Sequence, residues 1–130
     1  MKKNNISILT NEKIKMQTAK LLAHQQNQLI GKWRIIEMEQ WNQDFIDAEM
    51  QGYIEFLENS TGEFHFGYVH GYVNCQYADN RAVKFSWEGN DEMDEAWGNG
   101  DAVIENKMLL GNLIFHNGDE SWFKAVPFTK

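Results

Sequence analysis

Hydrophobic and polar residues alternate with a period of two along most of this chain. Between residues 81 and 88, for example, the apolar side chains stand at every second position, at Val83, Phe85 and Trp87. A two-residue period places side chains alternately on the two faces of a strand, so it predicts a half-buried β-strand. Eight segments carry such a pattern or a short apolar run, which predicts a mainly β fold. They are Lys32–Met38, Tyr53–Glu58, Glu63–Val69, Tyr72–Tyr77, Arg81–Glu88, Asp101–Glu105, Met108–His116 and Glu120–Val126.

Two segments have helical spacing instead. Apolar residues recur every three or four positions in Asn11–Leu29, and Gly31 follows as a stop signal, so we predict an N-terminal α-helix. A short helix or packed loop is predicted within Gln40–Gln51, after the first strand. We divide the chain into a basic N-terminal helical extension, residues 1–30, and a β-barrel domain, residues 31–130.

The connections between the predicted strands are mostly short. Eight strands joined in chain order predict an antiparallel up-and-down meander, which closes into a barrel to remove its edge strands. Asn117-Gly118 is the strongest hairpin signal, since a type I′ turn requires two residues that tolerate positive φ. The predicted connections are Asn59–Gly62, His70-Gly71, Asp79-Asn80, Asn106-Lys107, Asn117-Gly118 and a long polar stretch, Gly89–Gly100.

An eight-stranded barrel has an interior that side chains just fill or that holds one small ligand. The predicted inward residues are mostly large, which leaves two alternatives open: a packed core, or an aromatic-lined pocket for a flat apolar ligand. They are Trp33, Ile35, Ile54, Phe56, Phe64, Phe66, Tyr68, Val73, Cys75, Val83, Phe85, Trp87, Leu113 and Phe115.

Successive connections of a meander alternate between the two ends of a barrel. Both long connections, 40–51 and 89–100, therefore fall at the same end, together with the turns at 70–71 and 117–119. Barrel mouths and the loops that form them are favoured ligand sites. We predict a binding site at this mouth, in which acidic and aromatic side chains converge. Its residues are Trp41, Trp87, Glu88, Asp91, Asp94, His116 and Asp119.

Charge is unevenly distributed and limits the classes of partner. Residues 1–30 carry five lysines and one glutamate, or +4, whereas residues 31–130 carry seven basic and eighteen acidic residues, or −11. An acidic body repels nucleic acid, so we predict a small molecule or a basic protein segment as the partner. No segment has the roughly 18 apolar residues of a membrane span or the apolar run of a signal peptide, which predicts a cytoplasmic protein away from membranes.

Catalytic signals are sparse. Cys75 is the single cysteine, without a basic neighbour to activate it, and the common nucleotide, hydrolase and metalloprotease motifs are missing. We therefore favour a non-enzymatic binding protein with no cofactor and no metal. One alternative is an enzyme at the same mouth, using His116 with Asp119 or Glu120, or a divalent ion held by Asp91, Glu92 and Asp94. Another is an assembly protein that forms a homodimer through Asn11–Leu29, unless this basic helix packs against the acidic barrel of its own chain.

Gly31-Lys32-Trp33, at the start of the first strand, resembles the G-x-W signature of lipocalins and the wider calycin group. That resemblance implies an eight-stranded barrel in which the tryptophan plugs the closed end. The chain is also similar to a group of small bacterial proteins, over residues 31–126. The segments that carry this second resemblance are Gly31–Ile35, Ser86–Asp94 and Gly118–Ser121. It implies no particular activity.

Overall fold

The computed structural model describes residues 11–16 and 27–128. Eight antiparallel strands follow one another in chain order, and the first pairs with the last to close a barrel. The predicted eight-stranded up-and-down barrel is therefore confirmed. The strands are β1 (Gly31–Met38), β2 (Tyr53–Phe56), β3 (Thr61–Phe66), β4 (Val69–Tyr77), β5 (Ala82–Asp91), β6 (Asp94–Glu105), β7 (Met108–Phe115) and β8 (Glu120–Pro127). The short helix α1 (Gln43–Ile46) lies between β1 and β2, as predicted.

The connections fall alternately at the two ends of the barrel. We call one the loop end, formed by residues 39–52, 67–68, 92–93 and 116–119, and the other the turn end, formed by 57–60, 78–81 and 106–107. Backbone hydrogen bonds join three of the loop-end connections. The amide of Gly67 donates to the carbonyl of Ile46, and the amide of Glu92 donates to the carbonyl of Tyr68, each at 2.9 Å. The prediction that the connections after β1, β3, β5 and β7 share one end of the barrel is thus confirmed.

Strand alternation places the apolar side chains inside the barrel. Val83, Phe85 and Trp87 are buried, while Lys84 and Ser86 between them are exposed. Every predicted inward residue is buried except Tyr68, which is 42% exposed. Tyr68 was assigned to a strand, but it lies in the turn between β3 and β4 and points away from the core. The buried set also includes Leu29, Met38, Ile46, Val69, Ala96, Ala102, Ile104, Leu109, Phe123 and Ala125.

Large rings fill the interior next to strand glycines. A Cβ atom at Gly71 would collide with the ring of Phe64, and one at Gly100 would collide with the ring of Phe85. Phe64 also packs edge-on against Trp87, with ring centroids 5.1 Å apart. Each ring fills the space beside a glycine that a side chain would otherwise occupy. Of the two alternatives, the described interior is therefore a packed core rather than a ligand pocket.

The hairpin between β3 and β4 turns earlier than predicted. Its turn residues are Gly67 and Tyr68, with Gly67 at a φ of 57°, whereas His70 and Gly71 lie within β4. The prediction was wrong because Gly71 has a turn-like identity but a packing role. Its lack of a side chain makes room for Phe64, and it pairs with Phe64 across β3 and β4.

The long polar connection predicted at Gly89–Gly100 is not a loop. Strand β5 continues to Asp91, Glu92 and Met93 form the turn, and β6 begins at Asp94. A Cβ at Gly89 would overlap the backbone carbonyl of His70, so the strands approach closely where glycine occurs. Glycine and acidic residues resemble a loop in composition, which explains the error.

The two consecutive positive φ angles of a type I′ turn occur at a different hairpin from the one predicted. Asn106 and Lys107 have φ of 51° and 64°, the combination that a type I′ turn requires. At Asn117-Gly118, only Gly118 has positive φ, at 95°. The location of the turn was predicted correctly at Asn117-Gly118, but its type was not.

The N-terminal helix prediction is confirmed only in part. Residues 11–16 are helical, the predicted stretch 17–26 lies outside the described residues, and residues 27–30 form a turn rather than a helix end. Leu29 is fully buried at the turn end of the barrel, where its carbonyl accepts a 2.9 Å hydrogen bond from Nε1 of Trp33. No helix within the described ranges has the length and apolarity needed to cross a bilayer.

Candidate functional site

A bidentate ion pair fixes the long connection at the loop end. The two guanidinium nitrogens of Arg34 donate to the carboxylate oxygens of Asp47 at 2.6 and 2.8 Å. Asp47 also accepts from the side chain of Gln43 at 3.0 Å and from the amide of Gly52 at 2.8 Å. Chiefly because of the Arg34 hydrogen bonds, the pKa of Asp47 lies far below its usual value. Asp47 therefore anchors the loop to β1.

Trp41 covers the loop end of the barrel. Its ring is 4.9 Å from that of Phe66 and 6.0 Å from those of Phe45 and Phe115, measured between centroids. Phe45 in turn packs on Gly67 and lies edge-on to Tyr68 at 5.8 Å. Through these contacts Trp41 covers the core at this end, so aromatic rings cover the predicted mouth of the barrel.

Trp87 does not lie on the rim. It is 3% exposed inside the barrel, packed edge-on against Phe64 and Phe115, and its Nε1 is 3.3 Å from the carbonyl of Ile114. Its inward direction follows from the alternation with Ser86 and Glu88. The structure therefore separates Trp87 from the other residues of the predicted site.

Asp91 and Asp94 face each other at the tip of the β5–β6 hairpin. Both are exposed, and the turn between them places Glu92 at a φ of 56°. The side chain of Asn90 donates to the carbonyl of Glu92 at 2.8 Å and supports this turn. Among residues 11–16 and 27–128, no three His, Cys, Asp or Glu side chains are placed to hold a metal ion together.

His116, the first residue after β7, packs on Trp97 of β6. Their rings are stacked, with centroids 3.7 Å apart and an angle of 17° between the ring planes. The backbone amide of His116 donates to the carbonyl of Trp97 at 2.8 Å. Asp119 is held by its own turn, where its amide donates to Oδ1 of Asn117 at 3.0 Å. These contacts orient His116 toward Trp97, the partner that the sequence did not indicate.

Glu88 belongs to a row of side chains on the outer surface of the barrel. Cross-strand pairing places Glu55 beside Glu63, Glu63 beside Tyr72, Tyr72 beside Glu88, and Glu88 beside Trp97. The row crosses five neighbouring strands, β2 to β6, over a width of about 19 Å at the usual strand spacing. Glu95 lies two residues from Trp97 on β6. We call these six residues the acidic aromatic face.

The two aromatic side chains of this face are open to solvent. Tyr72 is 57% exposed and Trp97 is 50% exposed, although large apolar rings are usually covered in a soluble domain. Four carboxylates lie around them. An exposed ring flanked by carboxylates can contact a cation through its face while the carboxylates neutralise the charge.

Two shallow grooves meet at Tyr72 and Glu88. One, of about 440 Å³, extends to the turn end along Glu55, Glu63 and Leu57. The other, of about 330 Å³, extends to Glu95 and Trp97. A larger depression of about 550 Å³ lies farther along β4 to β6, beside Lys84, and none of its described lining residues carries a carboxylate. Of these three depressions, only the first two combine exposed aromatic rings with carboxylates.

The electrostatic effect of the face is visible at Tyr53. Burial of the hydroxyl, followed by the charge of Glu63 and a hydrogen bond with it, raises the pKa of Tyr53 to about 12. Glu55 contributes in the same direction. On its β1 side the face ends at a cation, since Nζ of Lys32 lies 4.3 Å from the centroid of the Tyr53 ring. The carboxylates thus create a local negative electrostatic potential, which a bound cationic group would neutralise.

Two histidines border the face toward the loop end. His70 lies 3.0 Å, Nε2 to Oε2, from Glu63, and His65 lies 3.1 Å, Nε2 to Oε1, from Glu49. The rings of His65 and His70 are 5.5 Å apart and face the same side of the sheet. His70 was predicted in a turn, but its strand position lets it orient Glu63.

Cys75 is buried inside the barrel. Burial raises the pKa of the Cys75 thiol, and a hydrogen bond with Tyr77 opposes the shift only in part. The hydroxyl of Tyr77 donates to the carbonyl of Leu57 at 2.8 Å. A protonated, enclosed thiol is a poor nucleophile, which agrees with the assignment of Cys75 to the core.

The acidic aromatic face contains one residue of the predicted site, Glu88. Of the remaining six, Trp87 lies inside the barrel, and the other five lie at its loop end, in the long loop or at the tips of two hairpins. The signal that could have found the face was the outward half of each alternating strand, where Tyr72 and Trp97 replace the expected polar residues. Such a row becomes visible only when the strands are placed in register.

The closed eight-stranded barrel is compatible with a calycin-like fold, and Trp33 lies buried at its turn end. No family model matches the chain, and neither a curated protein nor a solved structure matches it.

Proposed function

We propose that this protein is a non-enzymatic binding protein that recognises a basic segment of a protein partner through the acidic aromatic face. The observation that carries the proposal is the row from Glu55 to Trp97, in which carboxylates flank two exposed rings in direct register. Lysine and arginine side chains complement both components of such a surface. An extended or helical segment is long enough to follow a row about 19 Å wide.

A small molecule inside the barrel, the lipocalin-like mode of binding, receives less support. Phe64, Phe85 and Trp87 occupy the interior, and Trp41 packs over the loop end. Entry of a ligand would require these rings to move together.

A cytoplasmic location remains part of the proposal, because a barrel with one buried thiol suits a reducing compartment.

The enzyme alternative likewise lacks a favourable geometry. His116 is stacked on Trp97 rather than presented to a substrate beside a carboxylate, and Asp119 is held in its own turn. A binding role needs only the exposed surface that Tyr72 and Trp97 already provide.

The test is a titration of the full chain with a short synthetic peptide rich in lysine. Binding is measured by tryptophan fluorescence and by calorimetry. An exposed ion pair and a cation–π contact each contribute about 0.5–1 kcal/mol. Tyr72→Ala with Glu88→Gln should therefore raise Kd by about fivefold to thirtyfold. Binding should also weaken as salt increases, because the contacts are exposed to solvent.

The matched control is Glu120→Gln. It removes the same charge from an exposed position on β8, which lies across the barrel from β4. It should leave Kd within about twofold of the wild-type value, since a single distant charge is largely screened. Equal losses in the control and in the face variant would refute the proposed site.

A further inference from the structure

We infer that the basic segment recognised by the acidic aromatic face is the N-terminal segment of a second copy of this chain, so that two copies form a dimer by exchanging these segments. The inference rests on the proposed function, because it names the partner of the same surface. Closed homodimers in which each copy uses the same two patches are the commonest symmetric assembly.

Charge complementarity is the first support. Residues 1–30 carry +4 and residues 31–130 carry −11. Two of the five N-terminal lysines, Lys13 and Lys15, lie in the described helical segment and are exposed. Each copy carries a net charge of −7, so the attraction is local, between the basic segment and the acidic face, and it selects which surfaces meet.

The apolar side chains of the same helical segment are the second support. All six residues from 11 to 16 are exposed, with Ile14 at 53% and Met16 at 64%. Within one chain, these side chains therefore remain in solvent, which costs free energy that burial in a contact would recover. The groove beside Glu55 and Glu63 offers apolar surface for them in Leu57, which is 42% exposed, and Tyr72.

The position of the segment agrees with an exchange. Residues 27–30 are fixed at the turn end, where the amide of Gln28 donates to the carbonyl of Asn80 at 2.9 Å and Leu29 is fully buried. The groove that reaches Leu57 and Thr61 opens at this same end. Two barrels that meet near their turn ends can therefore each present an N-terminal segment to the face of the other.

The experiment measures the mass of the full chain by sedimentation equilibrium at low salt, with circular dichroism as a check on folding. We expect a dimer for the wild type. Lys13→Glu with Lys15→Glu, and separately Glu63→Lys with Glu88→Lys, should each raise the dimer dissociation constant at least about tenfold. Because Glu63 contacts His70, Glu88→Lys alone serves as a second variant of the face.

Combining the two sets of reversals in one chain should restore much of the lost affinity, because opposite charges again face each other. The control, Glu105→Lys with Glu120→Lys, changes the net charge of the barrel equally outside the face and should retain a stronger dimer than the face variant. A wild-type dimer that is unaffected by reversals in either surface, or one that the combined reversal does not rescue, would overturn the exchange.

Titration with the lysine-rich peptide separates this inference from the proposed function. A monomeric wild type that binds the peptide through Tyr72 and Glu88 refutes the second copy but retains the binding face. A monomer that binds the peptide more tightly after Lys13→Glu with Lys15→Glu places the segment on its own barrel, which also refutes the exchange. A monomer that fails to bind the peptide both before and after Lys13→Glu with Lys15→Glu refutes both proposals.

Discussion

The guanidinium of Arg34 and the carboxylate of Asp47 share two hydrogen bonds, at 2.6 and 2.8 Å, between the middle of β1 and the end of α1. Both side chains are about three-quarters covered, at 22% and 26% exposed. Planar bidentate pairs of this kind are the stronger salt bridges. The pair holds the long loop against the barrel and thereby positions Trp41 over the core.

Asp47→Asn should lower the free energy of unfolding by about 1–3 kcal/mol, because it leaves Arg34 without its charged partner. The pKa of Asp47 is lower in the folded protein than in the unfolded chain. The stability that ionised Asp47 contributes is therefore complete above the unfolded pKa, and it is lost progressively as the pH falls below about 4. Urea unfolding at pH 7 and pH 3 measures both effects. Asp44→Asn, at an exposed position of the same helix, is the control. A variant as stable as the wild type at pH 7 would contradict the anchoring role.

The raised pKa of Tyr53 predicts that the folded protein loses stability at alkaline pH. Burial of the hydroxyl and the nearby charge of Glu63 raise its pKa from 10.0 to about 12, so the folded protein keeps this proton when the unfolded chain has released it. The free energy of unfolding should therefore decrease as pH rises from about 10 to 12. Tyr53→Phe should reduce this decrease by up to about 2 kcal/mol. Urea unfolding from pH 8 to pH 12 tests it, and equal pH dependence in both proteins would disprove the assignment.

Gly71 and Phe64 should be energetically coupled. Gly71→Ala places a Cβ against the Phe64 ring and should destabilise the fold by about 1–3 kcal/mol. In the presence of Phe64→Leu, which frees part of that space, the same substitution should cost less. The two single variants and the double variant form a thermodynamic cycle measured by urea unfolding. Strictly additive effects would mean that the ring does not occupy the position that alanine needs.

The loop end and the acidic aromatic face can be distinguished by one pair of matched variants. Asp91→Asn and Glu88→Gln each remove one exposed charge from β5. If the face forms the contact, Glu88→Gln should weaken binding of a lysine-rich peptide by about twofold to fivefold, and Asp91→Asn should have a smaller effect. Both should leave stability within about 0.5 kcal/mol of the wild type. A larger effect of Asp91→Asn would favour the hairpin tip instead.

Strand alternation explains why so much of the barrel was predictable. Val83, Phe85 and Trp87 identify both a strand and its inward face, because a period of two cannot be satisfied by a helix. Asn106-Lys107 and Asn117-Gly118 mark reversals between two such strands. Together these local signals specify strand order, and strand order specifies which connections share an end.

Composition failed where glycine and charge occur within a strand. Gly71 and Gly89 resemble turn residues, but each removes a side chain that would collide with a neighbouring strand or ring. Asp91 and Asp94 resemble a solvated loop, although they pair across a hairpin. The sequence contains no local record of these long-range contacts, so the turn at 67–68 and the extended β5–β6 hairpin were missed.

The amino-acid sequence alone determined the class of fold, the succession of its strands and the acidity of its body, because alternation, turn residues and charge are local properties of the chain. The tertiary structure decided that Trp87 is enclosed, that Trp41 covers the loop end, and that Tyr72 lies beside Glu88 on the outside. Those relationships depend on register, the alignment of one strand with the next, which is set by packing of the whole barrel.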